Sequence, residues 1–294
     1  MNIIKYKSIF FAVSGILIIA SIVFVSVFGL KSGIDFVGGT LWQIRASGAD
    51  SRSLADYFEN DLNVKNAVIY SESSTQSFLV KLGAISESDH QNYLSGLSKK
   101  FGQVEELRYE SIGPTIGREL KNKAITAVIL VLLGISLYVA YAFRKVSYPI
   151  KSWKYGVITL LTLFHDVIIS TGLLAYLGWR YGIELDTKFI VALLVIVGFS
   201  VHDTIVVFDR IRENLVISAN RMDLQSIINS SINQTVARSI NTSLTLVLVL
   251  LVLFFLGPVS LKYFVLLVMV GTIVGTYSSI FIASPALLIA GKKK

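Results

Sequence analysis

Residues 189–208 read FIVALLVIVGFSVHDTIVVF, an apolar run whose only ionisable side chains are the adjacent His202 and Asp203. About 20 such residues, rising about 1.5 Å each as a helix, cross the hydrocarbon core of a bilayer. Working outward, five more runs meet the same requirement: residues 9–28, 124–143, 155–177, 240–256 and 263–283. Six transmembrane helices are therefore predicted. The composition agrees, with 53% hydrophobic and 16% charged residues and four prolines in 294, an apolar excess that only lipid can bury. The absence of cysteine excludes disulfides, thiolate chemistry and Cys-ligated zinc.

Lys5 and Lys7 precede the first run as they would in a secretory signal. That run exceeds the roughly 7 to 15 residues of a signal core, and Val27-Phe28-Gly29 is a poor cleavage site, so a retained anchor is expected. Orientation follows from lysine and arginine in the short loops, which resist outward transfer. An inside N-terminus puts Lys5, Lys7, Arg144, Lys145, Lys151, Lys154, Arg210, Arg212, Arg221, Lys292, Lys293 and Lys294 in the cytoplasm. The outer loops then hold only Arg180, Glu184, Asp186 and Lys188, and Lys262. Both termini are expected inside. The net charge of +8 is thereby read as membrane topology and not as a nucleic-acid surface.

Three divisions follow: residues 1–28 with the first span, an extracytoplasmic domain over 29–121, and residues 122–294 with spans two to six. The middle segment carries 10 basic and 12 acidic residues. Its periodicities predict strands at 40–46, 67–71, 78–82 and 104–109 around a Ser-rich turn, and helices at 52–60 and 87–101, with Ser86 as N-cap. The order βαββαβ is that of a ferredoxin-like α+β domain. His90 reads as a solvated residue of that domain.

An ionisable side chain at membrane depth costs at least about 2.5–3.5 kcal/mol and marks a functional position. His165 and Asp166 lie in the third run, His202 and Asp203 in the fourth. At the fifth, Gln234, Arg238, Asn241, Thr242 and Thr245 share one helical face, read as looking into the bundle. Antiparallel fourth and fifth spans bring Asp203 and Arg238 to the same half of the membrane. Two readings stand: a static ion pair, or a proton relay in which burial favours the neutral acid and the guanidinium favours the carboxylate. Asp166 is either a second relay carboxylate or an interhelical hydrogen-bond acceptor. His165 and His202 read as helix-packing donors, and adjacent residues diverge too far on a helix for the two His-Asp pairs to converge on a metal. Gly271 and Gly275 mark close helix packing. No G-x-x-x-x-G-K-[ST], H-E-x-x-H or G-x-S-x-G is present, so neither an enzyme nor a cofactor is expected. Gly38-Gly39 lacks the strand-to-helix context of a dinucleotide loop.

Several stretches resemble the SecD/SecF family of protein-export membrane subunits, within the resistance-nodulation-division (RND) superfamily. They are Gly33-Ile34-Asp35-Phe36-Val37-Gly38-Gly39-Thr40, Ile112-Gly113-Pro114-Thr115-Ile116-Gly117-Arg118-Glu119-Leu120, and the run from Val197 through Asp203, Asp209, Arg210, Arg212 and Glu213 to Asn214, followed by Asn233-Gln234-Thr235 and Arg238-Ser239-Ile240-Asn241-Thr242-Ser243. The Asp-Thr-Ile-Val-Val-Phe-Asp-Arg-Ile-Arg-Glu-Asn run points to the SecF branch. The resemblance covers nearly the whole chain. It implies an RND-like half bundle in the bacterial inner membrane, pairing with SecD, the SecYEG channel and YajC, and using the proton gradient to draw unfolded preproteins outward. It also implies proton transport by Asp203 and Arg238. The family pattern more often has Asn at position 202, so no proton-carrying role carries over to His202. The chain begins at its own Met1 with one six-helix unit, as a separate subunit would. Two rivals remain. A small-molecule exporter of the RND type would show efflux without a Sec channel, and a structural scaffold would tolerate loss of Asp203 and Arg238.

Overall fold

The computed structural model describes residues 2–64, 67–72, 76–144, 150–218 and 222–291. Lys145, Arg221, Lys292, Lys293 and Lys294, and the serines of the turn at 73–75, lie outside them. In chain order the elements are α1 (Lys7–Phe28), α2 (Ile34–Val37), β1 (Gly39–Ala46), α3 (Ser51–Asp56), β2 (Val68–Glu72), β3 (Ser77–Leu82), α4 (Glu87–Phe101) and β4 (Val104–Ile112). There follow α5 (Pro114–Ala142), α6 (Ser152–Tyr181), α7 (Thr187–Ser218), α8 (Leu224–Leu256), α9 (Lys262–Ser278) and α10 (Ser284–Ala290), the last two joined by a π-turn at Ser279–Ala283. Two compact units result, one of Met1–Lys31 with Thr126–Lys294, the other Ser32–Ile125.

Six helices among the described residues are long and apolar enough to cross a membrane: α1 with its preceding turn, α5, α6, α7, α8 and α9 with α10. Their ends outrun the apolar runs, because hydropathy reports bilayer depth whereas helix length is set by caps and prolines. Pro114 opens α5, Pro258 follows the end of α8 at Gly257, and Pro285 opens α10, each where a missing N–H costs nothing. Asp223 caps α8 by accepting the Ser226 N–H at 3.0 Å. The third, fourth and sixth spans form the buried centre, with α1, α5 and α8 mostly exposed around them.

Small residues let these helices approach. A Cβ on Gly172 would come within 2.3 Å of Ser21 on α1, one on Gly271 within 2.3 Å of Ile196, and one on Gly275 within 2.8 Å of Ser200. The Gly271–Gly275 pair therefore packs α9 on α7, as its spacing predicted.

The second unit is a four-stranded antiparallel sheet, ordered β2-β3-β1-β4. Trp42, Ile44, Val80 and Leu82 point to one face, where they meet Leu54, Phe58 and Leu97 of the helical segments. Helix α4 covers the predicted residues, and Ser86 caps it by accepting the Asp89 N–H. His90 is the correction here. It is buried, its Nε2 2.6 Å from Glu106 Oε2 and its ring stacked 3.7 Å from that of Tyr109. Trp42 Nε1 donates to the same Glu106 oxygen at 2.7 Å. These partners come from β1 and β4, so local polarity around His90 gave no sign of them.

The motifs at 33–40 and 112–120 lie against each other in this unit. A Cβ on Gly38, at φ +81, would sit 2.7 Å from Pro114 Cα, and one on Gly117 would sit 2.8 Å from Gly38 N. Phe36 is buried, Asp35 half-buried, and Gly33 precedes α2 in extended backbone. Gly39, at φ +142, would bring a Cβ 3.0 Å from Leu82 O. These glycines serve close backbone approach.

Candidate functional site

The fourth span presents Asp203 inward, 1% exposed. Its Oδ2 accepts a hydrogen bond from Thr276 Oγ1 of α9 at 2.9 Å, and Ser239 Oγ of α8 lies buried beside it without meeting hydrogen-bond geometry. Arg238 does not reach it. That side chain is exposed and pairs with no carboxylate among the described residues.

The reason is rotational. Helix α8 buries Ile228, Ser231, Ile232, Thr235, Ser239 and Ser243 against its neighbours, and each step of one residue turns a side chain by about 100°. With Ser239 facing Asp203, Arg238 must face away. Gln234, Asn241, Thr242 and Thr245 are exposed on the same outward side. The expectation that this polar stripe looks into the bundle is therefore overturned: it looks out of it. Thr242, Thr245, Phe199, Leu246 and Val249 line an open groove between α7 and α8. His202 is also exposed, and so is not a packing donor within this chain.

Gln234 belongs to a different arrangement. Its Oε1 accepts from Arg210 Nε at 2.6 Å and Asn214 Nδ2 at 2.9 Å, while Arg210 also pairs with Glu213 at 2.6 Å. Asn214 donates to Ser231 at 2.8 Å. Arg212 pairs with Asp209 at 3.2 Å. The charged end of the fourth-span motif thus clamps α7 to α8.

Asp166 is wholly buried. Its Oδ2 accepts from Ser200 Oγ of α7 at 2.5 Å and from Ser278 Oγ of α9 at 3.0 Å, and its Oδ1 lies 2.8 Å from His165 Nδ1. The other imidazole nitrogen meets Ser14 Oγ of α1 at 3.1 Å, and Ser14 in turn lies 3.4 Å from the Tyr277 hydroxyl. Thr204 Oγ1 and Ser279 Oγ, 2.8 Å apart, fill the space beside Ser200. Ser14, Ser200, Thr276, Ser278 and Ser279 escaped the sequence reading. The one available signal was the crowding of hydroxyls at 276, 278 and 279 in an otherwise apolar run.

The SecD/SecF C-terminal protein-export family model matches residues 93–293. The protein translocase subunit SecF of Thermobaculum terrenum is 41% identical over 100% of this chain and 95% of that one. The SecDF subunit of Thermus thermophilus is 39% identical over 90% of this chain but 35% of its own length. The crystal structure of SecDF from Thermus thermophilus superposes with a TM-score of 0.81 at 36% identity, covering 99% of this chain and 38% of that chain. This chain is a multi-pass membrane protein, and it belongs to the SecD/SecF family of protein export membrane proteins, on its SecF branch.

Proposed function

We propose that the chain is a proton-motive-force-coupled accessory subunit of the Sec translocase, acting with SecD beside the SecYEG channel to promote export of unfolded preproteins across the inner membrane. Both termini face the cytoplasm in this reading, and the soluble unit is a ferredoxin-like head on the outer side. The carrying observation is Asp203: a carboxylate buried at membrane depth, held by a hydroxyl, with no ion-pair partner among the described residues. A charge in that place costs at least about 2.5–3.5 kcal/mol and is kept for function.

The outward Arg238 supports a partner. With His202 and Asn241 it gives the α7–α8 surface a polar face among lipid-facing apolar side chains, which calls for cover by another helical bundle bearing an acid for the guanidinium. SecD suits this, since SecDF of Thermus thermophilus carries the matching region within a longer single chain. In the mechanism, Asp203 takes a proton, its hold on α9 through Thr276 changes, and the bundle shifts. A proton descending the gradient releases about 2.3 kcal/mol per 100 mV, enough to bias a two-state motion.

The test is export of a stalled precursor by proteoliposomes with and without an imposed pH gradient. Asp203→Asn is expected to assemble normally and to lose the gradient-dependent part. Normal gradient-driven export by that variant overturns the proposal.

A further inference from the structure

The Asp203 mechanism leaves unused a buried ionisable pair of the bundle, His165 and Asp166. We propose that this pair is a second proton-holding site, and that its state is read by the first span through Ser14. The proposal rests on the proton-coupled reading for its purpose, but its chemistry stands on the pair's own geometry.

Asp166 is surrounded by donors. Ser200, Ser278 and His165 Nδ1 all point at its two oxygens, an acceptor-only setting that suits a carboxylate. With Nδ1–H donated to Asp166, the imidazole has one nitrogen left, and Nε2 faces Ser14 Oγ at 3.1 Å. A serine hydroxyl both donates and accepts, so this contact survives in two protonation states. With a neutral imidazole, Ser14 donates to Nε2. When a hydronium ion delivers a proton, an Nε2–H bond forms, water is released, and the imidazolium donates to Ser14 Oγ. The Ser14 proton is then free to turn toward the Tyr277 hydroxyl, 3.4 Å away, which itself donates to Phe10 O at 3.0 Å. Proton uptake thus takes the pair from one negative charge to none, and reverses a hydrogen-bond chain running through α1.

The surroundings leave the pair to itself. Helix α1 carries no charge between Lys7 and Lys31. Among the described hydrogen bonds, the one further titratable group that reaches the pair or its serine partners is Tyr277, through Ser14; Asp203 is held by Thr276 and His202 is exposed. A purely structural clasp would need only one protonation state, and a Ser14 that always donates would serve it.

The experiment is magic-angle-spinning NMR of the full-length chain with SecD in lipid vesicles, with 15N-labelled histidine. The chain has three histidines, and His165→Gln identifies the signal of interest. Spectra are recorded across a pH series, and in the parent that signal is expected to convert from a singly protonated imidazole to an imidazolium as the pH falls. Ser14→Ala is expected to lose the imidazolium form across that series, Ser14→Thr to restore it, and both to leave the His90 and His202 signals in place. Asp203→Asn is expected to leave the His165 conversion unchanged, so a failure of the Asp203 mechanism is read separately from a failure here. One protonation state for His165 across the series, or a conversion that Ser14→Ala does not alter, overturns the proposal.

Discussion

Thr276 Oγ1 donates a 2.9 Å hydrogen bond to Asp203 Oδ2, so the fourth-span carboxylate is held by a hydroxyl of the sixth span and not by the guanidinium of the fifth. A hydroxyl clamp differs from an ion pair in what it costs to open. Releasing it separates no opposite charges in a low-dielectric interior, whereas breaking a buried ion pair costs about 3–5 kcal/mol. Two residues on, Ser278 bonds the other buried carboxylate, Asp166. One helix therefore touches both acids just before its π-turn, an irregularity often found where helices do work.

Thr276→Val keeps the shape and removes the donor. A hydrogen bond to a charged group contributes about 1.5–3 kcal/mol, so gradient-dependent export is expected to fall roughly tenfold or to need a different pH, and Thr276→Ser is expected to restore it. Precursor export measured across a pH series decides. A Thr276→Val profile identical to the parent's would remove the sixth span from the coupling.

The outward polar face of α8 is checked by labelling. The chain has no cysteine, so Thr245→Cys introduces a single thiol in the groove between α7 and α8. It is expected to react with a membrane-permeant maleimide when the chain is made alone, and to be protected at least about tenfold when SecD is present, as burial at a packed helix interface requires. Equal labelling in both cases would place the partner elsewhere.

Much of this was legible in the residues, and the failures have physical causes. Runs of about 20 apolar residues have few other interpretations, so the spans were clear. Asp203 stood out because a carboxylate at that depth is costly. The direction in which Arg238 points was not legible: inside a membrane both faces of a helix can be apolar or polar, and only the packing of Ile228, Ile232 and Ser239 decides which turns inward. His90 misled because its partners, Trp42, Glu106 and Tyr109, are brought to it by the sheet. The serines and threonines on the two buried acids carry no charge, and such hydroxyls usually bond their own helix.

Acid should loosen the start of α3. Asp50 Oδ1 accepts from the Ser53 N–H at 2.7 Å while the Asp50 N–H donates to Ser53 Oγ at 3.0 Å; the Ser53 N–H first, and its hydroxyl second, hold the carboxyl below its ordinary value. Because the folded value is the lower one, the stabilisation is complete above about pH 4, the unfolded value, and is lost as pH falls through the folded value. Protection of the Ser53 amide against exchange, taken relative to its intrinsic rate at each pH, is expected to fall over that acid range. In Asp50→Asn the pH dependence is expected to vanish while the cap remains, and in Asp50→Ala both are expected to go.

Gly38 provides the sharpest steric forecast. At φ +81 an L side chain is strained, and the added Cβ would fall 2.7 Å from Pro114 Cα, 2.8 Å from Pro114 N and 3.1 Å from Ile112 O. All three are backbone atoms, which cannot swing aside as a flexible side chain would. Relief requires the segment before β1 to part from the end of β4, yet the two strands pair there, Gly39 opposite Ile112 and Thr40 opposite Ser111. The backbone at φ +81 and ψ 160, a region essentially reserved for glycine, alone costs about 1–3 kcal/mol, and overpacking adds about 1–3 kcal/mol. Gly38→Ala is therefore expected to raise amide exchange at Thr40 and Ser111 by more than about tenfold. Gly83→Ala serves as the control, since a Cβ there meets nothing within 4 Å and a surface change of that kind stays within about 0.5 kcal/mol. If both variants exchanged like the parent, the contact between the two motifs would not hold the strands in register.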